Sequence, residues 1–403
     1  MSDAAAAVQD EWVLAPLSRV LKLNVEVVDV DPGRTYPIVG VLNRGRGLLF
    51  RGPVAGSSTA YKKLNRIGPG VLVYSRLKAF EGAITVTPDD LPESFASQEF
   101  PTFAFGTDMD PDFFRILTTT QSMWGALQGA SKGMGGRRER VKPADFLNIA
   151  MAIPPLLVQE RIVEVIGAMD EQVAALEVEA DSLLRVRNAV LGDMLSRGGE
   201  GWLSAPLSEA GTLSRGRRFV KSDYVESGLG CIHYGQIYTD YGASATRTVT
   251  YLPESFRGSM RLAQPGDVVV AGTSENVEDV GKAVAWLGDE DVAVHDDCFI
   301  FRHDLDPKFV SYFFASPFFQ HQKRQFASVT KVVRISAANL KKIVMPVPPR
   351  DEQERISRAA GAVDAQVAAL QAEAERLRRV RVAVLSGLLN RTIDIKSAEL
   401  LEV

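Results

Sequence analysis

Two 44-residue stretches of this 403-residue chain are copies of one another, and a chain that duplicates its longest element is constrained to fold as two related halves. Residues 154–197 read PPLLVQERIVEVIGAMDEQVAALEVEADSLLRVRNAVLGDMLSR, and residues 348–391 read PPRDEQERISRAAGAVDAQVAALQAEAERLRRVRVAVLSGLLNR. They align without a gap at an offset of 194, with 25 identical positions. Apolar residues recur at spacings of four and three through Ile162, Ile166, Met169, Val173, Leu176 and Leu183, and again through Ile356, Val363, Val367, Leu370 and Leu377. A sustained 3.5-residue period is the seam of a coiled coil. The pattern continues through Val190 and Met194 and their counterparts Val384 and Leu388. Arg187 and Arg381 interrupt it, and the expectation there is a stem lying along the seam with its head in water. Leu184, Leu191 and Leu195 fall beside the seam, which predicts an exposed face for a partner.

Charge sets the direction of the pair. The first half of helix one is acidic (Glu160, Glu164, Asp170, Glu171, Glu177), and the last half of helix two is basic (Arg376, Arg378, Arg379, Arg381, Arg391). Antiparallel packing brings them together. At 1.5 Å per residue such a helix is about 60 Å long.

The duplication extends beyond the helices. Trp12 opens WVLAPLS and Trp202 opens WLSAPLS; GPGVLVYSR near residue 70 is matched by QPGDVVVAG near 266, and FGTDMDPDFF at 105 by FRHDLDPKFV at 301. VLVYSR, AITVTP, DVVVAG, KAVAWLG and DCFIFR are short, β-branched and bounded by Gly, Pro or Asp, and read as strands. DPDFFRILTTTQSMWGALQ and DPKFVSYFFASPFFQHQK each read as one helix opened by Asp-Pro. The expected layout is a tail (1–11), an α+β domain with a twisted sheet (12–153), helix one (154–197), a second such domain (198–347), helix two (348–391) and a second tail (392–403). The two heads are thus held on an antiparallel coiled coil with an internal pseudo-twofold.

A hydrophobic fraction of 46% and 24% charged residues are ordinary for globular domains. No signal peptide and no apolar run near ~18 residues is found. Two cysteines fit a reducing compartment, so the expectation is cytoplasmic. A net charge of -4 does not advertise nucleic-acid binding, but the acidic helix one dilutes local basic clusters.

Catalytic motifs are missing. There is no Gly-rich cofactor loop with an Asn/Asp-Pro-Pro-aromatic site. GPVAGSST at 52–59 lacks the spacing and the lysine of a phosphate loop, and the four histidines stand near no nucleophile elbow. Cys231, His233, His295 and Cys298 have ligand-like spacing, yet both pairs lie in apolar runs where buried cysteine is expected, and no metal is assigned.

Clustered basic residues with Gly, Ser or aromatic neighbours are the candidates for nucleic-acid contact. In the first domain they are Arg44, Arg46, Lys62, Lys63, Arg76, Lys132, Arg137, Arg138 and Arg140. In the second they are Arg217, Arg218, Lys221, His233, Tyr234, Gln236, Lys323, Arg324, Lys331 and Arg334. Arg140 and Arg334 occupy matched places ahead of the two helices.

On these residues the chain resembles the specificity subunits of type I restriction-modification systems. The resemblance covers Trp12 to Arg391. It rests on the Pro-Pro-entered helices with Gln-Glu-Arg-Ile at 159–162 and 353–356, the Trp-initiated domains, the Pro-Gly-Asp entry at 265–267, Tyr234-Gly235, and the Arg-x-x-x-x-Asp/Asn runs from Arg140 and Arg334. The first copy departs from the pattern at Val158, where the second has Glu352, and at Val71, where the second has Asp267. The resemblance implies two target-recognition domains reading a bipartite asymmetric DNA site, with two methylation subunits on the helices and restriction subunits beyond. It also implies that this chain is non-catalytic and binds no cofactor, S-adenosylmethionine and ATP/Mg belonging to partners. The rival reading is a coiled-coil scaffold with two protein-binding heads.

Overall fold

The computed structural model describes residues 12–131, 140–329 and 332–394. It is a mixed helix-and-sheet protein whose contacts divide it into two compact units, residues 1–173 with 377–403, and residues 174–376. Each unit holds one globular domain, the first part of the long helix that follows it and the last part of the other long helix. The long helices are continuous from Leu156 to Arg197 and from Arg350 to Leu389.

In the first unit, the strand Val13–Pro16 pairs antiparallel with Ala150–Ile153, so the residues after Trp12 lie beside those that enter the helix. A four-stranded sheet has the order Leu21–Leu23, Thr102–Phe105, Leu72–Tyr74, Ile84–Val86, and a five-stranded sheet the order Glu26–Asp29, Lys63–Ile67, Ser94–Ala96, Thr35–Val41, Leu48–Ala55. Only Thr35–Val41 against Ser94–Ala96 is parallel in these sheets. The main core stacks Tyr74, Phe103 and Phe146 with ring centroids 4.9–5.8 Å apart. It runs on into Ile162 and Ile166 of helix one and Leu385 and Leu388 of helix two.

The second unit repeats the closure, with Leu203–Pro206 antiparallel to Val344–Val347. Its larger sheet runs Thr212–Arg215, Cys298–Arg302, Val268–Ala271, Ala283–Trp286, Ser244–Ala245, and a four-stranded sheet runs Thr250–Leu252, Leu229–Ile232, Val292–Val294, Leu262–Ala263. Phe301, Phe313, Phe314 and Phe319 fill the core at centroid separations of 4.9–6.2 Å, each such pair adding about 0.5–1.5 kcal/mol beyond its buried area.

The single helices expected after each Asp-Pro are helix pairs. Pro111–Leu117 stops at a threonine run, and Thr120 caps Gln121–Ala130 by accepting from the Met123 amide. Pro307–Ala315 stops before Ser316-Pro317, where Ser316 caps Pro317–Lys323. A proline lacks the amide that would continue the first helix and suits the first turn of the next. The Val71 departure is matched elsewhere. In the second unit Asp267 accepts from Arg302 at 2.7 Å and from the Gln264 amide at 2.7 Å. The first unit carries Val71 and Gly106 at the two places, and the Val71 amide bonds Thr87 Oγ1 instead.

The buried stripe of the long helices includes Ile162, Ile166, Val173, Leu176, Ile356 and Val367, with Met169, Leu183, Val363, Leu370 and Leu377 partly covered. Two expectations are corrected. Leu191 and Leu195 are not exposed: they lie in one core with Ile356, Ala360 and Phe313, while Val190 is half exposed. A straight helix repeats at 3.6 rather than 3.5 residues, so the buried stripe drifts over a long run. Here the end of helix one also packs on the second domain, Gly192 lying against the Pro317 ring. The second correction concerns the seam arginines, whose heads are not in water. Arg381 makes a two-pronged contact with Asp170 in the first unit, with Nη2 at 2.8 Å. Arg187 pairs with Asp364 in the second, and Asp364 also accepts from the Tyr312 hydroxyl at 2.7 Å. Asp170 and Asp364 are copies of one position, as are the arginines, so one residue pair is used twice. Within the first unit Asp170 meets Arg381, while Ile162 and Ile166, earlier on helix one, share a core with Leu385 and Leu388, later on helix two, so the helix segments there run antiparallel.

Candidate nucleic-acid interface

Each domain is tied to the start of its own helix by a buried glutamine. Gln159 accepts from the Asp110 amide at 2.8 Å and donates to the carbonyls of Asp108 at 3.0 Å and Pro154 at 2.8 Å. Gln353 does the same with the Asp306 amide and the Pro348 carbonyl, both at 2.8 Å. A fully used amide in a dry site fixes the geometry around it, because leaving any of those groups unpaired is expensive. The repeated Gln-Glu-Arg-Ile therefore joins the Asp-Pro turn of each domain to the helix. Nothing in the helical period signals that role. In the second unit Glu352, where the first copy has Val158 one residue ahead of the glutamine, accepts from Trp202 Nε1 at 2.6 Å.

The candidate basic residues fall into distinct settings. Arg44 and Arg46 are exposed on the turn between Thr35–Val41 and Leu48–Ala55. The Arg44 guanidinium lies 5.6 Å over the Trp124 ring, an aromatic partner that sequence reasoning missed. Lys62 and Lys63 are exposed, Lys63 lying 3.6 Å from Asp29. Arg76 and Arg140 are brought together by Glu99, at 3.9 and 3.3 Å. Lys132, Arg137, Arg138 and Lys331 lie outside the described residues.

In the second unit Arg217, Arg218, Lys221, Arg324 and Arg334 are exposed. Arg334 lines a cleft of about 530 Å³ together with Arg215, Thr273, Asp296, Asp297 and Asn339. Lys323 is a correction: it is 1% exposed, and its ammonium donates to the carbonyls of Glu278 at 2.7 Å and Val280 at 2.6 Å. Burial holds its pKa down to about 8. It braces a loop and cannot reach a phosphate. Gln236 is engaged as well, its oxygen accepting from the His233 amide at 2.8 Å and its nitrogen donating to Thr250 at 2.7 Å. His233 caps the same short helix through Nδ1, and burial together with His295 beside it pushes its pKa down to about 4. Tyr234 is half-buried, its ring 4.3 Å from His233. The His233-Tyr234-Gln236 group is thus built into its own helix cap. The two cysteines are buried, and burial raises both thiol pKa values. Among the described residues the one group of potential metal ligands is His295, Asp296 and Asp297, and neither cysteine belongs to it. His295 in that group already contacts the Phe219 carbonyl and the Asp297 amide. Among the described residues, no helix is long and apolar enough to cross a membrane.

No family model matches the chain. The MjaVIII type I restriction enzyme specificity subunit of Methanocaldococcus jannaschii is 22% identical over 301 residues, 67% of this chain and 68% of that protein. The EcoKI specificity subunit of Escherichia coli K12 is 26% identical over 201 residues, and the StySPI subunit of Salmonella potsdam 26% over 204. This chain is similar in sequence to the type I specificity subunits. It spans less than half the length of the EcoKI and StySPI subunits in those matches, 43% and 44%. The fold agrees. A solved structure from work on complex assembly and conformational transition of the type I restriction-modification system superposes with a TM-score of 0.59 at 21% identity, over 94% of this chain and 97% of that one. The chain thus shares sequence with the type I specificity subunits, and its arrangement of helix and sheet with that solved chain.

Proposed function

We propose that this chain is the non-catalytic DNA-recognition subunit of a type I restriction-modification complex. In this reading its two domains are target-recognition domains, each specifying one half of a bipartite asymmetric site. The antiparallel helix pair is the coiled coil on which two methylation subunits dock, with restriction subunits joining them. S-adenosylmethionine and ATP/Mg belong to those partners.

The observation that carries the reading is the repeated joint. Two heads with the same closure and the same glutamine lock differ in the loops that carry their exposed arginines. Similar scaffolds with unlike reading surfaces suit a target of two unlike parts. The exposed basic residues supply phosphate contacts that position a duplex without reading it, and arginine is also the side chain best fitted to guanine. The test is duplex binding by the full chain purified with its methylation subunit. Affinity should fall with salt, at a log–log slope of about 0.9 per neutralised phosphate. The chain alone should bind no S-adenosylmethionine. Salt-independent or absent DNA binding supports the scaffold with protein-binding heads instead.

A further inference from the structure

The turn from Asn43 to Gly47 has three residues in the left-handed region, Arg44 at φ 60°, Gly45 at 66° and Gly47 at 91°. Glycine meets that demand at 45 and 47 without a steric penalty. At 44 the same demand falls on an arginine, whose Cβ disfavours the conformation. Such an outlier points from backbone to function, because a glycine there would be less strained.

Everything around Arg44 holds its place. The Gly45 amide donates to the Gly82 carbonyl at 3.3 Å, and a Cβ at 45 would stand 2.5 Å from the Thr118 carbonyl oxygen. The Leu42 amide donates to Gly47 at 2.9 Å, and Arg46 Nε reaches back to the Asn43 carbonyl at 3.0 Å. Asn43 itself donates to Glu81 at 2.5 Å. Trp124, beneath the guanidinium, is fixed by its own donation to the Thr118 carbonyl at 2.7 Å. Among the described residues no carboxylate lies within ion-pair distance of Arg44. Its guanidinium is therefore exposed, uncompensated and resting on an aromatic shelf, which limits the freedom it would lose on binding.

The strands leading to this turn form the outer ribbon of the five-stranded sheet, and Leu48–Ala55 is exposed along most of its length. A two-stranded ribbon is an element the major groove of B-DNA admits, and guanine there offers O6 and N7 to a two-pronged arginine. We propose that Arg44 reads a guanine in the half-site governed by the first domain. This rests on the DNA-recognition function proposed above.

The experiment maps methylated motifs in a host carrying the intact locus with wild-type chain, Arg44→Gly or Arg44→Lys, and measures melting temperature for each. Arg44→Gly relieves the backbone, so melting should not fall. The motif should relax at one position in one half, with discrimination there reduced about tenfold or more, and the other half unchanged. Arg44→Lys keeps the charge but loses the fork, and should relax the same position. An unchanged motif in Arg44→Gly overturns the assignment. So does a uniform loss of methylation in Arg44→Gly that Arg44→Lys restores, which marks a phosphate contact, or a lowered melting temperature with the motif intact, which marks a structural role. A wild-type strain with no motif at all is a different outcome, overturning the DNA-recognition reading and Arg44's role with it.

Discussion

Gln159 and Gln353 fix the heads to the helices with two or three hydrogen bonds each, so a single side chain bears on the whole of each joint. Replacing either by alanine strands buried backbone groups, each at about 1–3 kcal/mol. Chemical denaturation should show a loss of about 2–4 kcal/mol in the unit concerned, and a variant within ~0.5 kcal/mol of wild type would show that the amides do not matter. Arg140 and Arg334 hold matched places but not matched surroundings. Arg140 is paired with Glu99, whereas Arg334 is exposed and has no ion pair among the described residues. Arg334→Ala should therefore make the salt slope of DNA binding shallower by about 0.9, and Arg140→Ala should change it much less; equal slopes would contradict the distinction. Histidine supplies a pH test. His233 and His303 are pushed down to about 4 mainly by burial. The unfolded chain then binds more protons than the folded one between about pH 6.5 and pH 4, so their contribution is complete above that window and lost as pH falls through it. All four histidines belong to the second unit. Hydrogen exchange at pH 5 against pH 7 should show the second unit weakened more than the first. What the sequence shows of such residues is their type and position; that Lys323 is buried depends on the Glu278–Val280 segment far from it, which only the fold brings near.

At the scale of elements the helices were the most legible part, because a seam repeats many times and errors at one position are outvoted by the rest. The seam arginines were legible as exceptions but not as ion pairs, since the partner of Arg187 is set by the register of the opposite helix. The pairs differ in cover. Arg187 and Asp364 are 14% and 28% exposed, while Asp170 is 51% exposed beside Arg381. Double-mutant cycles should therefore give a coupling of about 1–2 kcal/mol for Arg187–Asp364 and below about 1 kcal/mol for Arg381–Asp170. The reverse order would mean that burial does not set their strength. Short β-branched runs mark strands, and Val268–Ala271 and Cys298–Arg302 are such strands. Their order was not legible, because a strand's sequence does not record which distant strand lies beside it.

For the whole molecule the duplication has a further consequence. In the first unit the start of helix one packs with Arg381, Leu385 and Leu388 of helix two. Arg187, Leu191 and Met194 are the copies of those residues in helix one itself. A chain ending near Gly198 should thus pair with a second copy, replacing an internal repeat by a true twofold axis. Co-expressed with the methylation subunit, residues 1–198 should modify an interrupted palindrome built from one half-site. Retention of an asymmetric site would contradict this, since no second head would remain to specify it. The central claim, that two unlike heads specify two blocks of DNA for partner enzymes, is tested most directly by methylome sequencing of the host with and without this gene. The account predicts that its removal erases one motif made of two unlike short blocks separated by unread bases. Erasure of no motif, or of a single uninterrupted block, would contradict it.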